Sequence, residues 1–258
     1  MQLPVSLSLK FRYAVRHAFK RNPLVTRWCA SLMSREQAAP EVHMARQRQL
    51  LQRLFERARR IPAYAAQVTG AWRDAHAQLR DAFPIVGKED VLRRQPEFFP
   101  HGRVPPYRLM TACTSGTTGT PLDVYRDVRS MAIEEAFHLQ HWHWAGWRRG
   151  RRQAVLRGDS VVPIGRRRPP FWFRDETGEQ LVLSTRHLNR HTGALFATEL
   201  ARFGAAQLRA YPSAAYDLAV FSEEAGIPVH FDSVITGSEM LYDFQRQRIE
   251  KTFGARVF

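Results

Sequence analysis

The chain has 258 residues, 44% hydrophobic and 24% charged, enough apolar mass for one sizeable core or two small ones without disulfides. That balance, with 15 Gly and 15 Pro, excludes collagen-like and wholly disordered chains. Lysine and arginine together number 39 against 24 acids, a net charge of +15, and only Lys10, Lys20, Lys88 and Lys251 are lysines. Residues 1–60 hold 13 basic and 3 acidic side chains, so the surplus is mostly N-terminal. Such a leader suits nucleic acid or an acidic membrane surface. No helix-turn-helix, zinc-finger, RRM or KH pattern accompanies it, so no specific nucleic acid is expected and a weak membrane-surface contact stays open. The plainer reading is an arginine-rich bias on solvated faces. Cys29 and Cys113 cannot build a disulfide framework or fill a zinc site alone, which sets a reducing, cytoplasmic location as the expectation. No uncharged run approaches the about 18 residues of a membrane span. Leu3–Leu9 is followed, not preceded, by Lys10, Arg12 and Arg16, the wrong order for a signal peptide.

In chain order, residues 1–40 are basic and weakly patterned, broken by Pro4, Pro23 and Pro40, and read as one or two short helices. A helix is predicted from Glu41, with Leu50, Leu51, Leu54, Phe55 and Ala58 on one face, ending before Ile61-Pro62. A second helix is predicted near Lys88-Glu89-Asp90. The polar stretch Pro100–Pro106 leads into Leu109–Pro121. Beyond it, helices are predicted at 130–145, around Leu195–Phe203, around Leu218 and Phe221, and from Tyr242 to Phe253, closed by Gly254. Strands are predicted at Ala154–Leu156, Gln180–Ser184 and Ser233–Thr236, with Arg166–Pro170 as a loop. Strands alternating with helices argue for an α/β fold with a largely parallel sheet. Ala255–Phe258 reads as the start of a further buried strand, so a truncated chain is the expectation. Such a chain would leave that strand unpaired on one side and invite aggregation.

The segment Thr114-Ser115-Gly116-Thr117-Thr118-Gly119-Thr120-Pro121 is rich in hydroxyls and glycine. Glycine lets backbone N–H groups turn toward a ligand and hydroxyls donate to phosphate oxygens, so the composition suits a phosphate cradle. It suits a polar surface turn equally well. It is not a Walker A loop, lacking the Gly-Lys-Ser/Thr ending.

The order of those residues resembles the phosphate-loop signature of adenylate-forming (AMP-binding) enzymes, the superfamily of acyl-CoA synthetases and luciferases. Ile61–Tyr64, Phe83–Asp90, Pro169–Arg174, Leu183–Leu188, Ala210–Tyr216 and Ile235–Glu239 resemble, in order, stretches of one branch: the phenylacetate–coenzyme A ligase family and its relatives in capsular-polysaccharide gene clusters. The resemblance covers roughly residues 45–258. It implies the N-terminal portion of an adenylate-forming large domain, with a basic, mostly helical segment at 1–108 and an incomplete nucleotide-binding α/β core at 109–258. The reaction it implies has two steps. A carboxylate attacks the α-phosphate of ATP to give an acyl-adenylate and pyrophosphate; a thiol such as coenzyme A then displaces AMP. Ser115, Gly116, Thr117, Thr118 and Gly119, with Thr114, would embrace the β- and γ-phosphates. Gly237, Ser238 and Glu239 would lie against the adenine and the acyl pocket, with Tyr211 nearby.

The resemblance also places the family's Mg²⁺-binding glutamate, its ribose-binding aspartate and the small C-terminal domain with its catalytic lysine past Phe258. The 258 residues alone are therefore expected to be inactive. A catalytically dead fragment, or a basic binding module for an acidic partner, is the competing expectation. No catalytic residue and no metal ligand is assigned within the chain. His138, His141 and His143, interleaved with Trp142, Trp144 and Trp147, suit a helix packing face better than a metal or base-stacking site. Arg148, Arg149, Arg151, Arg152 and Arg166–Arg168 suit a solvated surface better than a site for phosphates or for the acidic face of coenzyme A. Cys113 is expected to be a small buried residue and not a nucleophile.

Overall fold

The computed structural model describes residues 21–68, 83–103, 109–113, 120–158, 161–175 and 177–258, with isolated positions elsewhere. Thr114–Gly119 lie outside the described residues, as does most of the basic leader. The first elements are helical: α1 (Pro23–Met33), α2 (Pro40–Ala58), the short α3 (Pro62–Ala65) and α4 (Lys88–Arg94). Two strands follow, β1 (Leu109–Cys113) and β2 (Asp123–Asp127), then α5 (Val128–Trp144). The remainder alternates: β3 (Gln153–Arg157), β4 (Trp172–Arg174), β5 (Gln180–Ser184), α6 (Gly193–Phe203), β6 (Gln207–Ala210), α7 (Pro212–Glu224), β7 (Ser233–Thr236), α8 (Asp243–Phe253) and β8 (Arg256–Val257). Two compact units divide the chain, one of residues 30–134 and one of residues 1–29 with 135–258.

In the first unit, prolines open α2 and α3, where a missing N–H costs nothing. Asp90 in the first turn of α4 accepts a hydrogen bond from the Gly87 N–H at 3.1 Å. The apolar stripe on α2 is only partly buried. Phe55 and Ala58 pack with Val68, Tyr64 and Phe83, whereas Leu50 and Leu54 are about half exposed. This corrects the expected face: the cluster beneath it is too small to cover five side chains. β1 and β2 pair antiparallel, Cys113 opposite Asp123. Asp127 caps α5, accepting from the Ser130 N–H at 2.6 Å, and that hydrogen bond holds its carboxyl below the usual range.

The second unit is a six-stranded sheet of order β4-β5-β3-β6-β7-β8. β3, β5, β6, β7 and β8 run parallel and β4 antiparallel. Strands β5 and β7 read as near-continuous apolar runs because both faces are covered. The core gathers Leu156, Leu181, Leu183 and Leu208 from the sheet with Phe196, Phe203, Leu218, Ile249 and Phe253 from the helices. Gly204 and Gly254 close α6 and α8 in the left-handed conformation, which glycine adopts without a Cβ penalty.

At the amino ends of the strands a buried amide layer replaces the apolar core. Gln153 Nε2 donates to Gln207 Oε1 at 2.9 Å, and Gln207 Nε2 donates to Ser233 Oγ at 2.8 Å and to the Ala145 main-chain carbonyl at 3.2 Å. Gln207→Leu would leave three buried partners unsatisfied, and is expected to cost about 2 kcal/mol in a urea melt. An unchanged midpoint would show that water satisfies them instead.

Candidate functional site

All the parallel strands of the second unit end at one edge of the sheet, where an open α/β sheet binds ligands. β6 ends at Ala210 and Tyr211 serves as the N-cap position of α7. β7 ends at Thr236, so Gly237, Ser238 and Glu239 follow at the same edge. The structure thus brings Tyr211, Gly237, Ser238 and Glu239 to one edge of the sheet.

The contact that joins them comes from β3. Arg157, its last residue, donates to Ser238 Oγ at 2.8 Å and lies over the Tyr211 ring at 5.4 Å from the centroid. Gly158 comes next, and a Cβ there would stand 3.0 Å from the Tyr211 hydroxyl, so glycine is what lets the ring approach. Ser238 has φ 70°, a left-handed conformation unusual for a residue with a Cβ. Glu239 Oε2 accepts from the Ser213 N–H at 3.2 Å and from Ser213 Oγ at 2.7 Å. A carboxylate on the first turn of α7 is stabilised by its unpaired N–H groups and by the helix dipole. The turn after β7 is therefore pinned twice, to the end of β3 and to the start of α7.

Beside it, at the end of β5, Ser184 Oγ lies 2.8 Å from His187 Nδ1, and His187 stacks on Phe171 at 4.9 Å. The ring is buried, and its Nε2 has no hydrogen-bond partner among the described residues. Arg157, Gly158 and the Ser184–His187 pair escaped sequence reading as site residues. The one signal was an Arg-Gly pair ending an apolar strand.

Other expectations change. Cys113 is exposed, because its hairpin has only two strands and no second layer among the described residues. Desolvation within the hairpin, then the hydrogen bond and charge of Asp123, push its thiol above the ordinary range, which disfavours the thiolate. Of the tryptophans, Trp142 is buried under the Arg209 guanidinium at 4.1 Å and Trp147 meets it edge-on, but Trp144 is 59% exposed and meets His141 edge-on. His143 Nδ1 lies 2.6 Å from the Leu139 carbonyl oxygen. Arg151 pairs with Asp232 at 2.6 Å, and Arg152 donates to the Phe203 carbonyl. No described helix is long and apolar enough to cross a membrane.

No protein-family model matches the chain. It is 23% identical over 180 residues to Protein CapK of Staphylococcus aureus, covering 67% of this chain and 38% of CapK. Among solved structures it is similar to 2-hydroxyisobutyryl-CoA ligase in the postadenylation state, with a TM-score of 0.59 and 18% identity, over 86% of this chain and 49% of that one. The same ligase with 2-HIB-AMP and CoA in the thioester-forming state gives a TM-score of 0.57 at 19% identity, with the same coverage. In an open conformation it gives 0.52 at 18%, over 81% of this chain and 51% of that one. The chain thus spans 38% of its curated relative and about half of the ligase. Its fold is that of the N-terminal part of an adenylate-forming enzyme.

Proposed function

We propose that this chain is the nucleotide- and acyl-facing part of a ligase that activates a carboxylic acid with ATP and passes the acyl group to coenzyme A, as in the phenylacetate–CoA ligase family, with a role in capsule chemistry. The observation that carries the reading is the turn Gly237–Glu239, pinned by Arg157 and Ser213 beside Tyr211 at the carboxyl ends of β3, β6 and β7. A preorganised edge of this kind suits chemistry that is mostly positioning. The Tyr211 ring and the Gly237–Glu239 backbone flank the adenine and the acyl group, and Arg157 keeps that wall in place. Thr114, Ser115, Gly116, Thr117, Thr118 and Gly119 hold the β- and γ-phosphates. The acid's oxygen attacks the α-phosphorus as the bond to pyrophosphate breaks; the thiol sulfur then attacks the acyl carbon, AMP leaves with the bonding electrons, and the thiol proton passes to solvent. Among the described residues no cluster of three His, Cys, Asp or Glu side chains is placed to hold a metal ion, so no step is assigned to Mg²⁺ in this chain.

The test is calorimetric titration of the 258-residue chain with ATP and with AMP. The chain is expected to bind both and to show no ATP–pyrophosphate exchange. The variant Ser115→Ala/Thr117→Ala/Thr118→Ala is expected to lose about tenfold in ATP affinity, as for lost charge-assisted hydrogen bonds, and to keep its AMP affinity. No binding of either nucleotide, or an equal loss for both, sinks the reading.

A further inference from the structure

Helix α2 buries one side and leaves the neighbouring side open. Phe55 and Ala58 pack into the small cluster with Val68, Tyr64 and Phe83, whereas Val42, Leu50 and Leu54 are each about half exposed. Leu50 and Leu54 stand one turn apart and make a row along the helix. Arg46, Arg53 and Arg57 make the row beside it, about 60° round the helix at 3.6 residues per turn. Arg53 and Arg57 are exposed, and Arg46 donates from Nη1 to Gln49 Oε1 at 3.1 Å. Among the described residues no arginine of α2 forms an ion pair. The two acids of the helix, Glu41 and Glu56, lie about 140–160° away from the leucine row, and Glu56 accepts from Gln52 Nε2. A polar helix with a narrow apolar row and a cationic row along its border is the pattern of a helix that lies in a membrane interface.

We infer that α2 lays its Leu50–Leu54 row on an anionic membrane surface, with Arg46, Arg53 and Arg57 reaching the lipid phosphates. The leucines enter the boundary of headgroups and acyl chains, while each arginine buries its apolar stem and keeps its guanidinium at the phosphates. The 13 basic and 3 acidic side chains of residues 1–60 favour approach to a surface of that sign. A nucleic acid would use the arginines and leave the leucines in water. A second copy docked about a two-fold axis would set the arginine row near its own image, where like charges repel. The inference does not rest on the function proposed above; it concerns where the chain sits, not what it binds at the sheet edge.

The experiment floats the 258-residue chain with vesicles of phosphatidylcholine alone and of phosphatidylcholine and phosphatidylglycerol in equal parts. It uses the wild type, Leu50→Gln/Leu54→Gln and Arg53→Gln/Arg57→Gln. The wild type is expected to float with the anionic vesicles and not with the neutral ones. Its partition onto anionic vesicles should fall roughly tenfold in the leucine variant, the scale of two partly buried leucines. The arginine variant should lose about twentyfold, the scale of two surface-bound cations. Both variants should keep their Tm, since the replaced side chains are exposed. A leucine variant that floats as the wild type does overturns the inference, because charge alone would then account for binding. So does a wild type that floats equally with neutral vesicles, or with neither kind. Conversion of a dimer to a monomer by the leucine variant, without vesicle binding by the wild type, would assign the row to a second copy instead. AMP titration of the same preparations reads the proposed function separately, so either reading can fail alone.

Discussion

Gly193→Val is expected to destabilise the α/β unit by about 3 kcal/mol and to lower its Tm by roughly 10 °C. Gly193 opens α6, where its N–H donates to the Asn189 carbonyl at 2.8 Å, and it faces Phe221 on α7. A Cβ at position 193 would stand 2.3 Å from Phe221 Cβ, 2.7 Å from Cγ and 3.0 Å from Cδ2. The nearest of these atoms is fixed to the α7 backbone, so no rotamer change at Phe221 relieves the clash and the two helices must part. Parting them opens the core around Phe196, Leu200 and Leu218, all at most 1% exposed, and close-packed interiors lose dispersion contacts at small gaps. The gain in helix propensity, under about 1 kcal/mol, does not offset this. Two controls make the mechanism specific. Gly165→Ala, where a Cβ meets nothing within 4 Å, should leave the melt unchanged. Phe221→Gly, which removes that Cβ, should cost less in the Gly193→Val background than in the wild type, as expected for residues in contact. A double variant as unstable as the sum of its parts would show that the helices do not meet this way.

How much of this was legible in the sequence follows from what each element depends on. Gln180–Ser184 and Ser233–Thr236 match their predicted strands because short apolar runs between breakers have few other homes. The last helix was legible at both ends, from Tyr242 as cap to Gly254 as stop. The pair β1–β2 was not, because Asp123–Asp127 is polar and largely exposed and so carries no alternation to read. β4 has three residues and exists only through its pairing with β5. At the candidate site, Tyr211 and Gly237–Glu239, singled out by the resemblance, follow the ends of β6 and β7 at one edge of the sheet. Arg157 was hidden among 35 arginines. What distinguishes it is its place at the end of β3, two strands from β7, and strand order is a property of the folded chain.

That place makes Arg157 the position where one substitution should separate binding from folding. Arg157→Ala removes both the hydrogen bond to Ser238 and the cover over Tyr211. Ser238 then holds its left-handed backbone without that support, and such conformations cost of order 1–3 kcal/mol. The turn proposed to wall the adenine is expected to relax, and AMP affinity to fall about tenfold, in line with the loss of a hydrogen bond to a charged group. Stability should change by less than about 1 kcal/mol, because Arg157 and Ser238 lie at the solvent edge. Arg157→Lys keeps the charge but not the planar face that lies on the ring, so it should recover only part of the affinity. Ser238→Ala removes the hydrogen bond alone and should fall between wild type and Arg157→Ala. If Arg157→Ala binds AMP as tightly as the wild type, Arg157 does not position the site. If affinity and Tm fall together, its contribution is to the fold, and the Gly237–Glu239 turn is held by Glu239 on Ser213 alone.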